Sequence, residues 1–251
     1  GGSVEVQVAV AKVAKYATGE SGDTVEMIER PHGGLSFVMV DGQRSGRSAK
    51  AISNLVARKA ISLLAEGVRD GAAARAAHDY LYTYRGGKVL ATLNILSVDM
   101  VSRTIVLSRN SHCPTLVVTD EGLHILDEPS RPVGVHRGTK PLVTELPLQA
   151  TTTVVLFTDG LLDAGRRYGQ SPDIPDAVQA LCDDRGCDAQ FIADQLLARA
   201  LQLDQGRAGD DITVLVLAVR ARHDDDRPAL SGADVRRMSV TFPLPPIISR
   251  K

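Results

Sequence analysis

The chain has 251 residues, and its 29 lysines and arginines nearly balance its 30 aspartates and glutamates, which leaves a net charge of −1. Nucleic-acid binders need a surplus of cations to displace the counterions on phosphate, so no nucleic-acid partner is expected. Hydrophobic residues make up 43% of the chain, yet no apolar run approaches the ~20 residues of a membrane-spanning helix. Three cysteines are too few for a disulfide framework. We therefore expect a cytoplasmic protein that has no membrane partner.

The first elements in chain order are strands. Residues 4–10 alternate apolar and polar side chains at period 2, which is typical of a half-buried strand. Residues 24–30 and 35–40 predict two further strands, and the short Pro- and Gly-containing link at residues 31–34 predicts that they pair antiparallel.

Helices are predicted in pairs. After Gly46 the apolar residues change to helical spacing, and a second, alanine-rich helix is predicted from residue 72 to about residue 82. Another pair is predicted within residues 172–181 and over residues 189–203, where Asp188 has the side chain of an N-cap.

The remaining elements are short strands, predicted at residues 89–98, 104–107, 115–118, 141–146, 152–158 and 212–219. The last of these is nearly all β-branched or aliphatic, so we expect it in the middle of a sheet. Because the helices come in pairs between groups of strands, the pattern favours an α+β fold with antiparallel sheets over a doubly wound parallel sheet.

The composition changes after residue 221. An aspartate-rich stretch follows there, and three prolines come later. We predict one domain over residues 1–221 and a C-terminal tail over residues 222–251 that is partly disordered.

Four aspartates lie beside glycine at strand ends or turns: Asp23, Asp41, Asp159 and Asp210. If the strands next to them lie side by side, the carboxylates gather at one rim of the sheet. Carboxylates packed together raise one another's pKa unless a cation lies between them, and the cations that suit oxygen ligands are Mn²⁺ and Mg²⁺. A single Asp-Gly pair is more often only a turn. The joint arrangement of the four is what favours a metal site.

The order of these motifs resembles that of the PPM-type metal-dependent protein phosphatases. It is most similar to their bacterial sporulation and stress-response (SpoIIE-like) branch, and within that branch to the stand-alone feedback phosphatases of the stressosome. The resemblance covers residues 4–220 and rests on four motifs: Gly22-Asp23, Val40-Asp41-Gly42 followed by Ser45-Gly46-Arg47, Leu156-Phe157-Thr158-Asp159-Gly160, and Gly209-Asp210-Asp211-Ile212-Thr213.

The resemblance implies a four-layer αββα sandwich with two Mn²⁺ or Mg²⁺ ions in a cleft. Asp41 would bridge both ions, and the carbonyl of Gly42 would complete the ligands of one. Asp159 and Asp210 would hold the other ion, and Asp23 would bind a metal directly or through water. Asp41 and Asp159 are the predicted catalytic residues.

The reaction that the resemblance implies is hydrolysis of phosphoserine or phosphothreonine by metal-activated water, without a covalent phosphoenzyme. The implied substrate is a phosphorylated protein of the stressosome or of the anti-sigma-antagonist type.

One departure from the family pattern bears on activity. Many relatives place a histidine directly after the Asp-Gly pair, whereas this chain has Gln43, which cannot donate a proton at neutral pH. A structural role, with a hydrogen bond to a loop, is the expected role of Gln43. His112 has either a site role or a packing role, and Cys113 is expected to be a small buried residue. Arg44 and Arg47 lie close to Asp41 in sequence, but we expect solvated loop charges.

Three functions remain open at this point. The leading one is a metal-dependent serine/threonine phosphatase that acts on a protein. The first alternative is a catalytically weak, phosphatase-like binding module in a regulatory complex, which Gln43 favours. The second is hydrolysis of a small phosphoester. The presence of all four aspartates favours the enzyme, because repelling carboxylates are costly to keep without metals.

Overall fold

Ten strands in two five-stranded sheets form the centre of the molecule within residues 3–185, 188–222 and 232–247, the part of the chain that this computed structural model describes. The strands are β1 (Val4–Val13), β2 (Asp23–Glu29), β3 (Leu35–Gly42), β4 (Ala91–Asp99), β5 (Thr104–Asn110), β6 (Thr115–Thr119), β7 (Gly122–Leu126), β8 (Leu142–Pro147), β9 (Thr153–Phe157) and β10 (Ile212–Ala221). The first sheet has the order β1-β10-β9-β6-β7 and the second the order β2-β3-β4-β5-β8. Each of these neighbouring pairs is antiparallel.

Helices cover the outer face of each sheet. They are α1 (Gly46–Ala65), α2 (Asp70–Arg85), α3 (Asp159–Leu162), α4 (Ile174–Arg185) and α5 (Ala189–Leu203). The α1–α2 pair packs on the second sheet, while α4 and α5 pack on the first. Short 3-10 turns occupy residues 31–33 and 166–168.

Three apolar clusters hold these layers together. One lies between α1–α2 and the second sheet, one between the first sheet and α4–α5, and one between the two sheets. Burial of apolar surface on both faces of each sheet explains why strands such as β4 and β10 are apolar along most of their length. The predicted α+β class and the αββα layering are confirmed.

Most predicted elements are present, with small shifts of their ends. Asp188 caps α5 as expected, because its Oδ1 accepts a hydrogen bond from Phe191 N at 2.7 Å. The final strand is central, with β1 on one side and β9 on the other. Two elements were not predicted: β7, an edge strand with a mixed burial pattern, and α3, which has only four residues.

The predicted tail is described only over residues 232–247, where it has no helix or strand. Residues 223–231 and 248–251, on which part of the prediction of disorder falls, lie outside the described residues. Within the described ranges, no helix is both long enough and apolar enough to cross a membrane.

Candidate active site

The four predicted aspartates come from the ends of strands in both sheets. Asp23 in β2 and Asp41 in β3 are direct cross-strand partners in the second sheet. Asp159 follows β9 as the first residue of α3, and Asp210 lies two residues before β10, so both belong to the first sheet. The expectation of a single sheet rim is therefore wrong. The cluster forms between two stacked sheets, because β3 and β9 lie in different sheets.

The glycines that follow two of these aspartates are needed for close packing. A Cβ atom on Gly42 would lie 2.1 Å from the carbonyl oxygen of Ala49 in α1, and one on Gly160 would lie 2.1 Å from the carbonyl oxygen of Asp211. Neither glycine is among the residues with positive φ. The alternative that these Asp-Gly pairs are ordinary turns is therefore wrong. The missing side chains let α1 and the start of β10 approach the carboxylates.

Asp23 is fully buried, and one of its two carboxylate oxygens is hydrogen-bonded. Its Oδ2 accepts hydrogen bonds from Thr158 Oγ1 at 3.0 Å and from Thr213 Oγ1 at 2.7 Å. Its backbone carbonyl accepts from two ammonium groups, Lys12 Nζ at 2.9 Å and Lys50 Nζ at 2.8 Å. Asp23, which belongs to the second sheet, is thus fixed by side chains from the first sheet and from α1.

These contacts around Asp23 were not predicted from the sequence. Thr158 stands directly before Asp159, and Thr213 stands three residues after Asp210, so both belong to motifs that were recognised for their aspartates only. The two lysines are distant in sequence, and their convergence on one carbonyl depends on how β1 and α1 pack against β2.

The carboxylates raise one another's pKa, as expected for a packed cluster. Burial raises the pKa of Asp41 to about 11, with further contributions from the charges of Asp23 and Asp159 and from its hydrogen bonds to these two groups. Burial, and then the charge of Asp159, raise the pKa of Asp210 to about 6. Burial also raises the pKa of Asp23, against the opposing effect of its hydrogen bonds. The pKa of Asp41 therefore lies above neutral pH when no cation is bound.

The donor atoms of the cluster suit a hard divalent cation. Asp23 Oδ1 and Asp159 Oδ1 are buried and have no hydrogen-bond partner. Such atoms are costly unless a donor or a cation meets them. Among the described residues, however, no three His, Cys, Asp or Glu side chains already stand at the spacing of a metal-binding group. A bound ion would take the place of the proton that the raised pKa assigns to Asp41.

Asp211 organises the loop that precedes β2. Its Oδ1 accepts a hydrogen bond from Lys15 N and its Oδ2 one from Gly22 N, both at 2.9 Å. Its own N–H donates to Asp210 Oδ1 at 2.7 Å. This last contact fixes the side chain of Asp210 at the turn before β10. The larger role of Asp211 is to tie the β1–β2 loop to the start of β10.

Gln43 has the structural role expected from the sequence. Its Oε1 accepts a hydrogen bond from Leu90 N at 3.1 Å, which joins the end of β3 to the chain before β4. The side chains of Arg44 and Arg47 are exposed, as expected for solvated loop charges.

His112 and Cys113 lie on the loop after β5, close to Asp159. The His112 Nε2 is 3.9 Å from Asp159 Oδ2, and the side chain of His112 is 57% exposed. Cys113 is buried, and its burial raises the thiol pKa to about 12, so it is an inert packing residue as predicted. The same His112 Nε2 lies 4.0 Å from Cys113 Sγ, so His112 stands at the edge of the cluster between Cys113 and Asp159.

Comparison with known proteins gives one family. The profile of the family described as stage II sporulation protein E (SpoIIE) matches residues 31–220. Stage II sporulation protein E of Bacillus subtilis (strain 168) is 22% identical over 217 residues, which are 86% of this chain and 26% of that protein. The chain thus spans about a quarter of the length of that relative.

Two solved structures show the same fold. The PP2C phosphatase domain of SpoIIE from Bacillus subtilis, solved with a fragment of its regulatory domain, has a TM-score of 0.74 at 20% identity, and the match covers 89% of this chain and 65% of that one. The catalytic domain of the serine/threonine phosphatase PstP, a Mycobacterium tuberculosis protein, in complex with 2 manganese ions has a TM-score of 0.63 at 17% identity, covering 87% of this chain and 100% of that one. Both likenesses agree with the αββα layering described above.

Proposed function

Because the chain belongs to the SpoIIE family, we propose that it is a Mn²⁺- or Mg²⁺-dependent protein phosphatase that hydrolyses phosphoserine and phosphothreonine on a bacterial signalling protein. The observation that carries this proposal is the cluster of Asp23, Asp41, Asp159 and Asp210, whose carboxylates raise one another's pKa and leave two buried oxygens without partners. Such a cluster is unfavourable on its own and favourable around divalent cations.

Two ions would be held by the residues predicted from the sequence. Asp41 would lie between them, with the Gly42 carbonyl as a ligand of one and Asp159 and Asp210 as ligands of the other. Asp23 would complete the set with its free Oδ1. Bound divalent ions supply charge that lowers the pKa of water and stabilises a phosphoryl group in transfer. The PstP structure, which contains 2 manganese ions in the same fold, supports the number of ions.

The chain's own residues set limits on the proton transfers. Hydrolysis of a phosphoserine must leave a proton on the departing serine oxygen. Gln43 cannot supply it, since an amide is not an acid at neutral pH and its Oε1 already binds Leu90 N. His112 is exposed at the edge of the cluster, 3.9 Å from Asp159, and is placed to donate a proton to a group bound there.

The competing hypothesis of a binding module without turnover is less favoured. In such a module no cation would offset the repulsion among the four carboxylates of the cluster. A protein that does not use metal ions has no reason to keep all four. The small-phosphoester alternative has no observation of its own in its support.

We also propose that residues 1–221 form the phosphatase domain and residues 222–251 a tail. The end of β10 at Ala221 and the end of the family match at residue 220 support this division. A regulatory protein is the proposed partner. Its identity as a stressosome or anti-sigma-antagonist protein, like the cytoplasmic location, stays a prediction from the sequence.

Phosphate release from p-nitrophenyl phosphate and from a phosphoserine peptide, with added Mn²⁺ and with EDTA, tests the proposal. We expect Mn²⁺-dependent release that Asp159→Asn abolishes, because the substitution removes one ligand charge and almost no volume. Asp194→Asn is the matched control: Asp194 is exposed on α5, where its carboxylate accepts a hydrogen bond from Gln190. Wild-type turnover in Asp159→Asn would place the reaction at another site.

A further inference from the structure

The tail carries an amphipathic strand pattern that the domain does not use. Met238, Val240, Phe242 and Leu244 alternate with Ser239, Thr241 and Pro243. This is the period-2 pattern of a strand with one apolar face, and Val, Thr and Phe favour strands. Yet the four apolar side chains are 69%, 86%, 71% and 82% exposed, in that order. An exposed apolar row of this kind is typical of a segment that binds to another surface.

The start of the tail is fixed beside the edge of the sandwich. Arg222 Nη2 donates to the carbonyl oxygen of Ala233 at 2.5 Å. Arg236 donates to Glu29 Oε1 at 3.2 Å and to the Gly33 carbonyl oxygen at 2.7 Å. These bonds tether the tail at the end of β2 that is distant from Asp23. Beyond Arg236 the chain leaves the surface.

Among the described residues, the strand next to this tether has no strand partner on one side. β2 pairs with β3 and stands at the edge of its sheet. Its inward-facing Val25 and Met27 are only partly buried against the cluster between the sheets. A sheet edge with unpaired backbone groups and half-covered apolar side chains is a template for another strand.

The charges of the tail also suit a β2 edge. Arg236 already binds Glu29 of its own chain, so the match to a second copy rests on Arg237, directly before the apolar row, and on Glu26 of that copy's β2. Residues 238–242 have five backbone N–H groups for a ladder, and Pro243, which lacks one, would end it.

We propose that residues 238–242 of one copy add as a strand to the β2 edge of a second copy, and that the second tail returns the exchange in a two-fold dimer. The strand that receives the tail belongs to a second copy for the following reason. Arg236 holds the tail beside Glu29 of its own β2, yet the residues that follow Arg236 stay exposed and do not pair with that β2. A reciprocal exchange covers the apolar rows of both tails. Each copy then contributes the same two surfaces, its tail and its β2 edge, as a two-fold interface requires.

Sedimentation velocity on the full chain, over a range of protein concentrations, tests the proposal. We expect the wild-type chain to dimerise and Val240→Lys/Phe242→Lys to weaken dimerisation by about tenfold or more, since it places charge on the covered face. Ser239→Lys/Thr241→Lys adds the same charge to the other face and should keep the dimer. Because the monomer leaves all four side chains exposed, thermal unfolding should show every variant folded.

A mixing experiment identifies the contact. Chains with Thr241→Cys are combined with chains carrying Glu26→Cys under mild oxidation, and we expect a disulfide-linked pair with one chain of each kind, above the level given by either variant alone. A wild-type chain that stays monomeric at every concentration would overturn the proposal. So would equal loss of dimer in both lysine variants, or cross-linking within one chain instead of between two, which would place the tail on its own β2.

Discussion

The raised pKa of Asp41 is the central feature of the site at the level of single residues. Asp41 is partly buried beside Asp23 and Asp159, and with a pKa of about 11 it stays protonated at neutral pH when no cation is bound. Metal ligands must be deprotonated, so a cation and this proton compete for the same oxygens. The site therefore gains metal affinity as the pH rises, because a higher pH removes the competitor.

Proton release on metal binding follows from this competition. At a pH of about 7.5, Mn²⁺ binding should release roughly one proton from Asp41, and the apparent affinity should rise with pH. Asp210, with a pKa of about 6, adds a second released proton only near or below that pH. Calorimetry in two buffers of different ionisation enthalpy measures the number released. Binding without proton release at either pH would contradict the raised pKa of Asp41.

The control for this measurement is a variant that has no proton to lose. Asp41→Asn keeps the shape of the side chain and removes the titrating group, so it should bind Mn²⁺ weakly and release no proton from this position. Asp194→Asn should behave as the wild type, since Asp194 is exposed on α5.

The sequence predicts which acidic residues matter but not what holds them. Three of the four aspartates, Asp41, Asp159 and Asp210, follow or precede an apolar run, a local feature that a sequence displays directly. The hydrogen-bond partners of Asp23 come from the first sheet, which includes β1, and from α1. No local pattern indicates that Lys12 and Lys50 meet at its carbonyl oxygen. Such contacts depend on packing between distant segments.

Close approach of secondary-structure elements explains the glycines at the element scale. The Gly42 N–H donates to the Gly22 carbonyl at 3.3 Å, and α1 passes so near to Gly42 that no side chain fits between them. Ala49 in the first turn of α1 therefore packs against the end of β3 at the residue that follows Asp41.

Gly42→Ala should therefore displace α1 from β3. The new Cβ would meet a backbone carbonyl oxygen at 2.1 Å, which is not a flexible side chain that can move aside. Overpacking of this kind costs about 3 kcal/mol or more of unfolding free energy. Gly19→Ala is the matched control, because nothing lies within 4 Å of its Cβ position. Urea unfolding compares the two, and equal stabilities would show that α1 accommodates the methyl group without cost.

For the helices and strands, the spacing of apolar residues in the sequence predicts some elements and misses others. The two long helices on the second sheet and the capped helix α5 have clear helical spacing and are predicted close to their observed ends. β7 is at the edge of a sheet, with His124 and Ile125 both exposed, so its alternation of buried and exposed residues is broken. Glycine after aspartate predicts a turn by local chemistry, and only the packing of α1 and β10 reveals its role here.

At the scale of the whole molecule, the four aspartates lie where the two sheets meet. Asp23 and Asp41 belong to the second sheet, and Asp159 and Asp210 to the first, so an ion bound among them would connect both halves of the sandwich. Thr158 and Thr213 already link the first sheet to Asp23. Since each sheet has its own helix layer, a link at this point couples all four layers.

Mn²⁺ should consequently stabilise the folded chain as one unit. At a free concentration about 100 times the dissociation constant, binding to the native state adds about 2.7 kcal/mol. For a chain of this size that corresponds to a rise in Tm of about 5–10 °C. Differential scanning calorimetry should show a single transition that moves upward with Mn²⁺ and returns with EDTA. Asp194→Asn should shift like the wild type, and Asp159→Asn should shift far less, because it lacks a ligand from the first sheet. An equal shift in Asp159→Asn would mean that the ion binds elsewhere, and two separate transitions would mean that the sheets unfold independently despite the contacts between them.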